Sequence, residues 1–507
     1  MNQGSQRCAN GHRVSGDNEC KEVFMRKGYF RRIQPQLTLL SEEEKHEIHL
    51  ASLEILERTG VLVDDEEALR LLIKAGCFVQ KGNRVFIPGV LVEEAVQSVP
   101  QRITISNQRG ERCLFLESRK SYFGTGSDTP NVIDVRTGQR RKAILNDVRE
   151  AARLCDFLNN IDFVMSMGLA DDVPPLLSDR YQFEAMITNT IKPIMFTAWN
   201  RKGLEDIYGM AVAVAGGEEQ LRQNPFLIHY AEPIAPFVHP RDSLQKLLFC
   251  AEKGIPVEYH CISMAGATAP ATLAGSFVQA NARMLSGVVI HQLKKKGAPL
   301  IVQSPVSFMD MRTSLLPYFG PDWCLGALMS KEMALYYGIP TFGKAGATDS
   351  NVIDQQAGAE IGMSILAEGL AGNNLIHDIG YLEAGMTSSL AAITICDEII
   401  SHVKRFLRGV DFSPEHVAIE LIDQVGPNGS YITTEHTLQH FRQEGWFPKL
   451  IDHNRYDNWV ESGKKTMLER GIELAKKILA SHEVAPLAPE VKKEIELILK
   501  KARDREK

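Results

Sequence analysis

Short apolar runs alternate with long amphipathic stretches from about Ser121 to about Ile400. The runs read Ser121-Tyr-Phe-Gly, Phe163-Val-Met-Ser-Met, Ile194-Met-Phe-Thr-Ala-Trp and Phe226-Leu-Ile-His-Tyr. They continue as Val257-Glu-Tyr-His-Cys-Ile, Leu300-Ile-Val-Gln, Pro340-Thr-Phe-Gly-Lys and Leu375-Ile-His-Asp-Ile. Each is the length of a buried strand. The intervening stretches are 146–158, 180–188, 203–215, 241–252, 272–293, 322–337, 357–371 and 388–408. They carry apolar residues at three- and four-residue steps, the spacing of a helix with one buried face. A helix crossing between two strands forces them parallel. The pattern predicts an α/β chain folded as a (β/α)8 TIM barrel, with its chemistry on the loops that follow the strands.

The flanks break this rhythm. Residues 1–24 are polar and aperiodic, and Cys8, His12 and Cys20 match no common zinc spacing, so a disordered extension is expected. Residues 25–118 read as an α+β cap. Ser41-Glu-Glu-Glu starts one helix, a second covers 66–75, and short strands lie at Arg84-Val-Phe-Ile and Ile103-Thr-Ile. The barrel is assigned to 119–410 and a helical C-terminal extension to 411–507. The extension ends in a Lys/Glu-rich helix from Pro489 that reads as a solvated tail or an assembly arm, which suggests a homo-oligomer.

A net charge of -6 with mixed signs offers no footprint for nucleic acid or an anionic membrane. No apolar run reaches the roughly 20 residues that cross a bilayer. The nine cysteines are scattered, which suits a reducing cytoplasm.

Strand ends are where polar residues change the picture. Glu258 and His260 share one face of the fifth run, with Tyr259 opposite, and two polar groups in a core strand must be paired or wetted. His229, Tyr230 and Glu232 end the fourth run, and His377 with Asp378 lies in the eighth. Trp199 ends the third, Gln303 the sixth and Lys344 the seventh, while the first leads to Asp128. Singly, each has a plain structural role: a histidine satisfied in the core, Asp349 or Asp378 capping a turn, Trp199 packing. Cys261 beside His260 is too small a cluster for zinc. Lys344, buried at a strand end, is the natural candidate for a Schiff-base nucleophile.

The most distinctive stretch is Gly338-Ile-Pro-Thr-Phe-Gly-Lys-Ala-Gly-Ala-Thr-Asp-Ser-Asn-Val-Ile-Asp-Gln-Gln-Ala-Gly-Ala-Glu360, followed by His377-Asp-Ile-Gly-Tyr-Leu-Glu-Ala-Gly-Met-Thr-Ser-Ser389. With Gly266-Ala-Thr-Ala-Pro-Ala-Thr272, Tyr431-Ile-Thr-Thr-Glu-His436 and Trp446-Phe-Pro, it resembles the trimethylamine methyltransferase family over nearly the whole chain. The resemblance implies an enzyme that moves a methyl group from an amine to the Co(I) corrinoid of a separate cognate protein, with no tightly bound cofactor of its own. Members acting on trimethylamine carry pyrrolysine. This chain has only the twenty standard residues, so it resembles the branch that includes glycine betaine methyltransferases, and the loop 347–351 is the expected neighbourhood of the pyrrolysine position.

A quaternary ammonium already has a neutral amine as leaving group, so the enzyme needs to hold and align it. Aromatic faces and carboxylates suit such a cation. Tyr122, Phe123, Trp199, Tyr230 and Phe342 are the candidate aromatics. His229, His260, Lys344 or Gln303 would take a betaine carboxylate, and Asp128, Glu258 or Asp378 would orient those groups or face the ammonium. No catalytic nucleophile and no metal ligand is assigned.

Overall fold

The computed structural model describes residues 33–506. The extension predicted at 1–24 lies outside the described residues. The described chain forms two units, one of 36–403 with 448–506, the other of 33–35 with 404–447.

In the larger unit, parallel pairing passes through all eight predicted runs and returns to its start. Tyr122–Thr125 bridges to Phe163 through Gly124, and Val164 bridges to Ile194. Ile194–Phe196, Leu227–Ala231, Val257–Tyr259 and Leu300–Ile301 then form one continuous parallel sheet. Val302 bridges to Thr341, Phe342–Lys344 pairs with Leu375–Ile379, and that strand pairs with Tyr122–Thr125. The second run is thus held by single bridges and not by a ladder. The fold is α/β, and its helices follow the predicted ranges closely: the sixth inter-strand helix is Pro321–Tyr337 and the seventh Gln355–Ala371.

Paired positions share a face of a sheet, so register sorts the side chains. Met195 pairs with Ile228, and Phe342 with Leu375. These four join Phe163, Met165 and Ile301 in one apolar cluster. Ile103, Ile105, Leu114 and Leu116 complete it, from the antiparallel pair Ile103–Ser106 and Arg112–Leu116. The cap strands therefore seal the end of the ring where the strands begin and leave the opposite end for chemistry.

The N-terminal helix Glu42–Arg58 starts as its sequence predicts, with Ser41 Oγ accepting from the Glu44 amide (3.2 Å) and the Ser41 amide donating to Glu44 Oε2 (2.7 Å). The last helix, Pro489–Arg505, is not a solvated tail. It buries Ile495, Leu499 and Ala502, and Arg505 pairs with Asp206 on the helix Arg201–Ala215. Three apolar positions spaced at four and three residues made that face available, and the abundant Lys and Glu lie on the other side. In the smaller unit, Ile33 bridges Val410, and Arg405 Nε donates to the Glu444 carbonyl at 2.8 Å. Among the described residues no helix is long and apolar enough to cross a membrane.

Candidate functional site

Two steps along several of the strands from the apolar layer, the same face turns polar. Tyr230 pairs with Glu258, Glu258 with Ile301, and Lys344 with His377, so these side chains share the interior face, and alternation adds His260 and Gln303. Ring contacts draw the group together. Phe342 lies 4.3 Å from His377 and 5.6 Å from His260, and Tyr230 lies 5.7–5.9 Å from His260, Phe342 and His377.

Burial sets the charges in this layer. Glu258 is fully buried and hydrogen-bonded through Oε1 to His260 Nδ1. Desolvation pushes its carboxyl well above the usual carboxylate range; the nearby Glu232 adds to the rise and His377 opposes it. Burial pushes the His260 imidazole down to about 4. Burial thus disfavours the charged form of both members of the pair.

Lys344 is held differently. Its Nζ donates to the Tyr318 carbonyl at 2.7 Å and sits 3.8 Å from the ring centroids of both Tyr318 and Trp323. Desolvation lowers it to about 8, with Asp378 and Asp349 opposing the fall. The rings act as a cation–π clamp on an internal ammonium. Asp349 accepts from the Tyr318 (2.7 Å) and Phe319 (3.1 Å) amides, so its carboxylate fixes the loop that carries the clamp. Replacing Asp349 with Ala orphans both amides. We expect a loss of about 1–3 kcal/mol, read as a lower thermal unfolding midpoint.

Next to this layer lies a cavity of about 480 Å³, within the range of small-molecule sites. Tyr230, Glu232, Trp199, Asp128 and Lys246 are among the residues that line it. Asp128 is pre-positioned. Its Oδ1 accepts from Ser166 (2.9 Å) and Gln182 (2.8 Å), and its Oδ2 from Thr197 (2.8 Å). Trp199 is half exposed, with its indole N–H donated to Ser178 at 2.9 Å and its backbone N–H to Asp179 at 2.9 Å. Tyr230 donates its hydroxyl to Glu232. One ring thus borders both the cavity and the buried layer.

Other predicted residues go elsewhere. His229 alternates with Tyr230 and faces the helices, 5.0 Å from the Phe196 ring, and burial beside Lys246 holds it neutral. Tyr122 faces inward but at the sealed end, where its hydroxyl accepts from the Phe115 amide at 3.1 Å. Phe123 is fully buried on the opposite face. Asp378 adopts φ 71° where the last strand's register shifts, and its Oδ1 lies 2.9 Å from His377 Nδ1 without hydrogen-bond geometry. A Cβ on Gly126 would sit 2.3 Å from Asp378 Oδ1 and from the Tyr381 hydroxyl, so only glycine fits there. Sequence reasoning missed Tyr318, Trp323, Asp179, Ser166, Gln182 and Lys246. Ser166 lies in the second apolar run, and the others come from connections or helices, where no strand alternation marks them.

The fold has a counterpart among solved structures. It matches the crystal structure of monomethylamine methyltransferase (MtmB) from Methanosarcina barkeri with a TM-score of 0.51, over 96% of this chain and 91% of that one, at 10% identity. The sequence gives the class: a family model described as trimethylamine methyltransferase (MTTB) matches residues 6–505, and the chain belongs to that family of methyltransferases. It is 30% identical over 465 residues to trimethylamine methyltransferase MttB of Desulfitobacterium hafniense (strain DSM 10664 / DCB-2), covering 92% of this chain and 94% of that protein. It is 29% identical over 459 residues to glycine betaine methyltransferase of Desulfitobacterium hafniense (strain Y51), covering 90% and 95%.

Proposed function

We propose that the closed run of parallel strands is a (β/α)8 barrel, and that the enzyme transfers a methyl group from a quaternary amine, glycine betaine first, to the Co(I) corrinoid of a separate protein. The observation that carries this reading is the strand-end cavity, where the Trp199 and Tyr230 rings stand beside the Asp128 and Glu232 carboxylates. Aromatic faces and acids together suit a cation that has no N–H to donate. The two relatives named above are named for trimethylamine and glycine betaine, both methylated at nitrogen.

The corrinoid supplies the attacking electron pair; this chain supplies position. Tyr230 and Trp199 hold the ammonium by their ring faces, and Asp128, fixed by three hydrogen bonds, sets the field around it. The C–N bond breaks with its electron pair left on nitrogen, so a neutral tertiary amine departs and no protein acid is required to start the step. Alignment of donor and acceptor is then the main source of rate.

Incubation of the enzyme with glycine betaine and a Co(I) corrinoid protein should yield methylated corrinoid and dimethylglycine. No cobalt spectral change with any betaine or with carnitine would sink the proposal. Tight betaine binding without turnover, across several corrinoid proteins, would mark a non-catalytic barrel instead. One observation favours a lyase reading, namely that burial brings the Lys344 amine to about 8. Against it, the Nζ is clamped between two rings and donated to a carbonyl. We expect borohydride to trap no carbonyl substrate on Lys344, and Lys344→Met to keep methyl transfer within about tenfold.

A further inference from the structure

The smaller unit has no core of its own. Between Lys404 and Phe447 not one residue is buried, although the stretch holds the helices Pro414–Val417, Ile419–Val425 and Glu435–Glu444. Helices this short are marginal in water unless an apolar face is packed against something.

The helix Glu435–Glu444 is turned the wrong way for a monomer. His436 and His440 face inward: their rings lie 4.3 Å apart, and the His440 ring lies 5.2 Å from that of His416. The opposite face carries Leu438, 70% exposed, Phe441, 43% exposed, and Arg442. The helix Ile419–Val425 repeats the design. Ile419 (56% exposed), Ile422 (53%) and Asp423 point outward, while Leu421 and Val425 are partly buried. Each helix thus shows two apolar side chains and one charge at positions i, i+3 and i+4, which share a face. The two charges are opposite in sign. Asp423 makes no ion pair among the described residues, and the Arg442 guanidinium lies 5.5 Å from the Phe441 ring centroid.

The area is large enough to matter. Phe447 lies 6.2 Å from the Phe441 ring, and Phe447, Tyr431 and Ile432 are exposed as well. Together these side chains open apolar surface of the order of the ~800 Å² that each partner gives to a standard interface, above the roughly 300–600 Å² of the largest patch on a monomer.

We propose that these two faces join two copies of this chain about a twofold axis. The helix Ile419–Val425 of one copy packs on Glu435–Glu444 of the other, and the symmetry makes the contact twice. Leu438 and Phe441 meet the two isoleucines, and Arg442 of each copy meets Asp423 of the other. A second copy is the partner because the faces share one apolar spacing, carry complementary charges and both stand open on the same chain. The assembly role suggested by the Lys/Glu-rich helix from Pro489 falls instead to 404–447, since that helix spends its apolar face within the chain.

The test is the solution mass of the full-length protein, by light scattering after gel filtration, with no substrate and no corrinoid protein added. Wild type should be a dimer, or an even multiple of one, at about 10 µM. Arg442→Asp sets acid against acid at both contacts, and Asp423→Arg sets base against base. Each should raise the dissociation constant of the pair by about thirtyfold or more. Mixed one to one, the two variants should pair with each other and return to the wild-type mass, because the mixed pair has opposite charges at both contacts. Leu438→Asp should weaken association by about tenfold or more. A monomeric wild type overturns the proposal and leaves the faces to a different protein or to another part of this chain. An assembly that both charge variants leave intact overturns it too. Variants that dissociate alone and fail to pair when mixed overturn the contact between Arg442 and Asp423, and with it the twofold arrangement.

Discussion

Arg180→Met is expected to destabilise the protein by about 3–5 kcal/mol, a larger loss than any exposed ion pair could cause. Arg180 is fully buried on the helix Ser178–Ile187, with Nη1 2.9 Å from Asp179 Oδ1, Nε 3.2 Å from Asp206 Oδ2 and a further hydrogen bond to the Leu176 carbonyl. Asp206 keeps Arg505 when Arg180 is lost, but Asp179 keeps only backbone amides. Burial already pushes the Asp179 carboxyl upward, with Arg180 the main force opposing it, so removing the guanidinium strands a charge. The surroundings leave no room for adjustment: a Cβ on Gly203 would lie 2.5 Å from Asp179 Oδ2. Asp179 also holds the Trp199 amide, so cation binding should weaken together with stability. Adding Asp179→Asn to Arg180→Met should recover most of the lost stability in denaturant unfolding. A double variant as unstable as the single one would show that packing, and not the orphaned charge, carries the cost.

The strands were legible because burial on both faces leaves an unbroken apolar run, and alternation then told which polar residues share a face. That is why Tyr230, Glu258, His260, Lys344 and His377 fall on one face. Alternation also speaks against one candidate, since His229 and Tyr230 are adjacent and cannot both point inward. Depth along the ring is not encoded in the same way. Tyr122 faces inward as Tyr230 does, yet the cap strands Ile103–Ser106 and Arg112–Leu116 occupy its end, and nothing local in Ser121-Tyr-Phe-Gly reveals this.

The clamp on Lys344 was hidden for a further reason. Tyr318 lies in an aperiodic connection, where Asp349 from another loop pins the Tyr318 and Phe319 amides, and Trp323 lies in the first turn of a helix, its indole N–H donated to the Lys344 carbonyl. Asp349 looked like a turn former in Ala347-Thr-Asp-Ser; it does fix a turn, but in a segment some thirty residues away in sequence. Contacts of that kind depend on the assembled fold, so composition and spacing are silent on them. The same holds for Ser166 and Gln182, which gain their role only through Asp128.

Tyr230→Leu should lower kcat/KM for methyl transfer by about 30–100-fold, the largest single effect expected at the site. The ring lines the cavity and meets His260, Phe342 and His377 within 6 Å. A desolvated cation–π contact of about 2 kcal/mol accounts for roughly thirtyfold of this. The remainder reflects a donor that is no longer held in line, because leucine fills part of the volume but gives the ammonium no face to rest on. Tyr230→Phe separates the contributions. It keeps the face and loses only the hydroxyl donated to Glu232, so it should stay within about fivefold of wild type. Following the initial rate of corrinoid methylation at low and at saturating donor then tells binding from alignment. A loss confined to KM would mean that Tyr230 only captures the cation, whereas a fall in kcat as well means that its ring also aims the methyl group. If Tyr230→Phe were as impaired as Tyr230→Leu, the hydrogen bond to Glu232 would carry the effect and the cation would have to be held by other rings.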